Sequence, residues 1–206
     1  MKKRSKLLKS VFFTLFIFCV SIVNAQNIDI DILRDINVNR NKNLDFTYKV
    51  LSNSTMEVST AIPIIMYTVG FIKKDSAVRK HAIFIGETFL VNGFITAALK
   101  VAVRRERPYN RYSDIDRATS AIGYSFPSGH TSTAFSTATS LSMVYPKWYV
   151  IAPSFVWASA VGYSRLHLGV HYPSDVIAGA VLGSGSAYLT YKANKWLNKK
   201  RSKREK

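Results

Sequence analysis

FPSGHTST, residues 126–133, leads into a run in which positions 131–146 hold eight Ser or Thr and no charged residue. Whether this run is a helix packed among other apolar helices or a polar turn at a surface decides the fold. Pro127 and Gly129 flank the hydroxyl of Ser128, and the imidazole of His130 follows at once. Ser128 is suited to cap a helix beginning at 131, and Gly129 lets backbone N–H groups come close to an anion, which a helix start attracts. His130 then stands where it can hand a proton to whatever is bound. A capped helix with an incidental histidine accounts for the stretch equally well, so the neighbouring chain has to discriminate.

Outward from this run lie four further apolar segments, 58–72, 81–99, 148–164 and 176–191, with Glu87 the one Asp, Glu, Lys or Arg among them. The five segments have 15 to 19 residues, slightly under the roughly 20 of a membrane-spanning helix. Gly179 and Gly183 stand four apart, the spacing through which membrane helices pack closely. The pattern predicts an all-α helical bundle. A soluble bundle and a compact polytopic membrane protein with about five membrane helices both fit it. With 48% hydrophobic and 13% aromatic residues in 206 positions, the chain is not disordered and suffices for one domain with a sizeable core.

The formal net charge of +17 invites a nucleic-acid reading, and its placement argues against one. Lys2, Lys3, Arg4, Lys6 and Lys9 precede an apolar run, Val11–Val23, and then Asn24 and Ala25. Basic, apolar and small-residue regions in that order predict a signal peptide over 1–25, cleaved after Ala25; an uncleaved first membrane helix is the alternative, for which the run is short. Residues 26–56 are expected to be a polar or amphipathic lead-in, 57–192 the helical-bundle domain, and 193–206 a basic cytoplasmic tail. Threading the segments with the lead-in outside puts Lys73, Lys74, Arg79, Lys80, Lys147 and the eight Lys or Arg from Lys192 to Lys206 inside, as the positive-inside bias requires. The basic residues therefore read as a topology signal, and no aromatic-interleaved platform for nucleic acid accompanies them. The one cysteine, Cys19, lies in the leader after the bulky Phe18, which is not a lipoprotein arrangement. Without it the mature chain has no thiol for disulfides, nucleophilic catalysis or metal binding.

The same threading leaves two loops outside, 100–130 and 165–175. Lys100 and Arg107 are two helical turns apart and share a side if the helix continues to Pro108. A solvated helix end explains them as well. In Ser164-Arg165 and His171-Tyr172-Pro173-Ser174-Asp175, Pro173 suits a helix's first turn. His171 then lies just before that helix and Asp175 within its first turn. A carboxylate there can hold one imidazole nitrogen and free the other as a nucleophile. Arg165 offers a planar fork for phosphate oxygens. His81 reads as a loop residue, His167 as local packing or a substrate contact, and Glu87 as a buried partner or packing residue rather than a catalytic one.

Lysine-x6-arginine-proline, proline-serine-glycine-histidine and serine-arginine-x5-histidine-x3-aspartate stand in this order, without substitution, over residues 100–175. In this the chain resembles the type-2 phosphatidic acid phosphatase/vanadium haloperoxidase superfamily, in its bacterial membrane lipid phosphatase branch. The resemblance implies an α-helical bundle and a phosphatase in which His171 takes the phosphoryl group as a phosphohistidine, Asp175 orients it and His130 protonates the leaving oxygen. It implies that Lys100, Arg107, Ser128, Gly129 and Arg165 hold the phosphoryl oxygens, so that no metal and no cofactor are required. The expected substrate is a phosphorylated membrane lipid: lipid A, undecaprenyl diphosphate, phosphatidylglycerophosphate or phosphatidic acid, among which these residues do not select. The expected place is the cytoplasmic (inner) membrane with the site on the periplasmic face, with no obligate protein partner. A soluble periplasmic acid phosphatase of the same superfamily is the alternative, and a vanadate-dependent haloperoxidase a more distant one.

Overall fold

The computed structural model describes residues 28–202, with side chains described to 200. The expected leader and its cleavage site lie outside the described residues. Residues 28–37 form helix α1, and a 3-10 turn at Lys42–Leu44 leads into α2, Asp45–Ile72. Then come α3 (Ser76–Val103), a short α4 (Pro108–Arg111), α5 (Gly129–Val144), α6 (Trp148–His167) and α7 (Pro173–Ser202). No strand occurs among the described residues, as the segment pattern predicted.

The turn chemistry explains where the helices start and stop. Asp75 caps α3 by accepting from the amides of Ala77 and Val78 at 2.9 and 3.1 Å. At its other end Arg104 adopts the left-handed conformation, φ 51°, and its N–H returns to the carbonyl of Lys100. This left-handed residue closes α3 at Val103, before Pro108 can do so. Arg107 therefore stands in an extended segment beyond the helix, not two turns along it. Ser128 caps α5, and the helix begins at Gly129 rather than at 131. Gly129 and His130 are thus its first two residues, whose N–H groups have no intrahelical partner. His81, expected in a loop, lies inside α3 against the ring of Tyr145.

α5 is the central helix, packing most extensively on α7, then on α6 and α3. Cβ atoms added at Gly179 and Gly183 would come within 2.7 Å of the Ser128 carbonyl oxygen and 2.1 Å of that of Ser132. Two bare backbones are what let α7 lie this close to α5. The interior along these helices is polar: Ser52, Thr55, Ser59, Thr88, Asn92, Ser132, Thr137 and Ser140 are all buried. They pair across helices, as in the bonds from Asn92 and Thr96 to Ser132 and from Thr137 to Ser59. The outward faces are apolar instead, with Phe46, Ile64, Phe71, Leu90, Phe94, Val156, Ile177 and Val181 exposed. Two segments, Lys42–Ile72 built on α2 and Ser76–Arg111 built on α3, are long and apolar enough to cross a membrane.

The expected lead-in is more ordered than its Asn-rich composition suggests. α2 begins at Asp45, so the expected boundary near 56 falls inside a continuous helix. α1 buries Ile30 and Leu33 against Ile115, Leu166 and Tyr172. At its last residue, Asn37 donates to the carbonyls of Asp116 and His167 and accepts from the amide of Asp116. Gly169, at φ +68°, makes room for this clasp: a Cβ there would lie 2.4 Å from the Asp116 carbonyl oxygen.

Candidate active site

The end of the bundle where α3 and α6 finish and α5 and α7 start holds a cavity of about 360 Å3. Lys100, Arg107, Gly129, His130, Arg165 and His171 line it, with Asn53 of α2 and the loop 119–122 at its margin. Three sequence pieces expected to meet do meet here. The long helices bring them together because an even number of passes separates each piece from the next: none between the end of α3 and the start of α5, and two, α5 and α6, before the α6–α7 turn.

Each cation is held by groups that leave its charge unbalanced within the cavity. The ammonium of Lys100 donates to the Tyr124 carbonyl at 2.6 Å. The guanidinium of Arg107 is fixed by the carbonyls of Gly123, Val170 and Ile122 at 2.9, 2.8 and 2.9 Å. Arg165, almost fully buried, donates through Nη1 to the hydroxyl of Ser52, and its Nε has no partner among the described residues. None of the three is paired with a carboxylate of the described residues. A cluster of fixed positive charge around a small cavity at a helix start is an anion site.

His171 is buried between α6 and α7, and its two nitrogens have different neighbours. Nη1 of Arg107 lies 3.3 Å from Nε2. A guanidinium can only donate, so Nε2 faces it as the acceptor and Nδ1 carries the proton. Nδ1 faces Oδ2 of Asp175 and the hydroxyl of Ser125, each at 3.4 Å. The unprotonated nitrogen is thus on the side of the cations. Burial, partly opposed by Asp175, and then Arg165 and Arg107 push the His171 pKa down to about 3.

One expected ligand of the anion has another position. The hydroxyl of Ser128 is buried against Thr131, with Oγ atoms 2.9 Å apart, where it caps α5 and does not line the cavity. Asp175, expected to orient His171 and not to hold the anion, stands behind the ring, outside the cavity lining. His167 bonds Asp45 at 2.9 Å and stacks near Tyr48, which is local packing. Glu87 accepts from Asn194 at 2.5 Å, far along α3 from the site. Among the described residues no three His, Cys, Asp or Glu side chains are grouped to hold a metal ion.

Sequence reading missed Ser125, Arg105 and Asp29. Ser125 donates to Oδ2 of Asp175 at 2.5 Å, and Arg105 donates to Oδ1 at 2.8 Å. Arg105 lies between Lys100 and Arg107 and was hidden among their charges; Asp29, which holds Arg105 at 2.6 Å, had no local signal at all.

Comparison with known proteins gives the family and a like fold. The family model described as the PAP2 superfamily matches residues 81–199, which contain every cavity-lining residue except Asn53. The chain is 30% identical over 183 residues to an undecaprenyl-diphosphatase of Sulfolobus acidocaldarius, covering 87% of this chain and 86% of that protein. It is 33% identical over 99 residues to a lipid A 4'-phosphatase of Bacteroides thetaiotaomicron, covering 45% of this chain and 44% of that one. Its fold is similar to the crystal structure of a transmembrane PAP2-type phosphatidylglycerolphosphate phosphatase of Bacillus subtilis, with a TM-score of 0.70 and 23% identity over 90% of this chain and 94% of the other. A family match over more than half of the chain, together with the archaeal relative that it parallels along most of its length, makes this protein a member of the PAP2 superfamily.

Proposed function

We propose that this protein is a membrane-embedded phosphatase that hydrolyses a phosphate ester or diphosphate on a lipid through a phosphohistidine at His171. The observation that carries the reading is one cavity lined by both imidazoles and by Lys100, Arg107 and Arg165. The three cations and the free amides that start α5 hold the phosphoryl oxygens. Nε2 of His171 attacks phosphorus, a nitrogen–phosphorus bond forms and the phosphorus–oxygen bond to the lipid breaks. Asp175 stabilises the positive charge that the ring gains. His130, protonated when the anion is bound, gives its proton to the departing oxygen. It then takes a proton from water as that water attacks the phosphohistidine, which releases phosphate and restores both rings.

The polar interior and apolar exterior favour a lipid surrounding over the soluble alternative, because a soluble protein buries its large apolar side chains and this one turns them outward. We place α2, α3, α5, α6 and α7 across the membrane. Residues 73–80, the α5–α6 turn and the basic tail then lie on the cytoplasmic side, and the cavity on the opposite face. The relatives' printed activities, on undecaprenyl diphosphate and on lipid A, motivate a substrate panel of those two lipids with phosphatidylglycerophosphate and a soluble ester. Detergent-purified protein is expected to release phosphate from at least one lipid, to continue in chelator and to lose the activity in His171→Ala. Undiminished release by His171→Ala would overturn the reading.

A further inference from the structure

From the contacts of α1 we infer that Asp29 and Arg105 are positioning residues for His171, forming with Asp175 a relay that leaves the buried cluster one net negative charge. The inference rests on the phosphatase reading above for its catalytic consequence. Asp29 is buried, and both of its oxygens are used. Oδ1 accepts from the amide of Ser174 at 2.7 Å, and Oδ2 accepts from the Ser174 hydroxyl at 2.5 Å and from Nη2 of Arg105 at 2.6 Å. Nη1 of Arg105 turns the other way and donates to Oδ1 of Asp175 at 2.8 Å, while the guanidinium lies over the Tyr172 ring at 3.8 Å. Oδ2 of Asp175 is left for Ser125, the amide of Tyr172 and Nδ1 of His171.

Charge arithmetic shows what Asp29 contributes. Asp175 and Arg105 alone form a neutral pair, which would do little for a ring that becomes positive as its other nitrogen bonds phosphorus. With Asp29 the set of three carries one negative charge, held inside the protein where it is weakly screened. Arg105 is also kept from swinging away from Asp175, since its second nitrogen is anchored on α1. The fold supports this: Ile30 and Leu33 fasten α1 over the same loops, and Asn37 ties its end to the α6–α7 turn. Asp29 lies four residues beyond the expected cleavage position, so the mature chain retains it.

The test uses the full detergent-purified chain with labelled histidine and the isosteric variant Asp29→Asn, with Asp29→Glu as the charge-restoring one. Two quantities are read: the NMR resonance of the His171 Nδ1 proton, assigned by its loss in His171→Ala, and steady-state phosphate release. In Asp29→Asn the resonance is expected to move and kcat to fall by about tenfold or more, as for partners standing behind a histidine. KM is expected to stay within about threefold, since no group that touches substrate is removed. Asp29→Glu is expected to bring both quantities back toward wild type, which a merely structural role would not do for the resonance. An unmoved resonance, or a moved resonance with unchanged kcat, overturns the inference. A resonance that moves and returns while no variant, wild type included, releases phosphate from any substrate supports the relay and counts against the phosphatase reading.

Discussion

Ser125 donates a 2.5 Å hydrogen bond to Oδ2 of Asp175, the oxygen that also faces Nδ1 of His171 at 3.4 Å. The serine hydroxyl holds the carboxylate in register with the ring, and it lies just outside the proline-serine-glycine-histidine stretch. Removing it in Ser125→Ala takes one bond from a buried charged group, so kcat is expected to fall on the order of tenfold. Asp175→Ala removes the counter-charge itself and is expected to cost about a thousandfold or more. Phosphate release by the two purified variants, side by side, checks the ranking; equal losses would mean that Ser125 is as indispensable as the carboxylate.

His130, the second residue of α5, lines the cavity and has no carboxylate partner among the described residues. If it supplies the leaving-group proton, His130→Ala should slow lipid substrates by about a hundredfold to ten-thousandfold. An aryl phosphate, whose leaving group needs little protonation, should still transfer its phosphoryl group to His171. Water activation then fails, and an acid-labile, alkali-stable phosphoprotein accumulates. Radiolabelled substrate would show it, and His130→Ala/His171→Ala should show none.

The His171 imidazole is held neutral in the fold, its pKa pushed down to about 3 by burial, partly opposed by Asp175, and then by Arg165 and Arg107. An unfolded histidine titrates near 6.5, so the folded state prefers the neutral ring. That contribution to stability is complete above about pH 6.5 and drains away as pH falls toward about 3. The melting temperature in detergent is expected to drop over that window, and His171→Asn to flatten the drop. Thermal melts of wild type and His171→Asn at a series of pH values decide it; an equal drop in both would contradict the coupling.

A Cβ at Gly183 would stand 2.1 Å from the carbonyl oxygen of Ser132 and 2.8 Å from the amide nitrogen of Ser136. Both atoms are backbone of α5 and cannot rotate aside. Gly183→Ala is therefore expected to separate α5 from α7 and lower stability by about 1–3 kcal/mol. Gly185→Ala, at a position with nothing within 4 Å, is the control and should melt like wild type. A wild-type melting temperature for Gly183→Ala would show that the two helices do not pack this tightly.

Much of the site was legible because its signals are local. Pro173 starts α7, so His171 before it and Asp175 in the first turn were bound to be neighbours. Ser128 before a run of Ser and Thr announced the start of a helix, though one that begins two residues earlier than 131 because Gly129 and His130 already adopt helical geometry. The apolar segments announced the bundle. Arg107 was less legible: its seven-residue spacing from Lys100 suggested a shared helical face, whereas the left-handed Arg104 breaks the helix and the guanidinium reaches the cavity from extended chain.

The sequence by itself determined that helices would form and that two imidazoles, a carboxylate and several cations would lie near helix ends, since turns, caps and apolar periodicity act over a few residues. Only the tertiary structure decided which of these groups share a cavity, that Ser128 faces Thr131 instead of it, and that Asp29 reaches Arg105 across 76 positions of chain. Such pairings depend on how close α5 and α7 come and on where α1 docks. Those distances come from the packing of many side chains at once and leave no period or spacing in the sequence around any one of them.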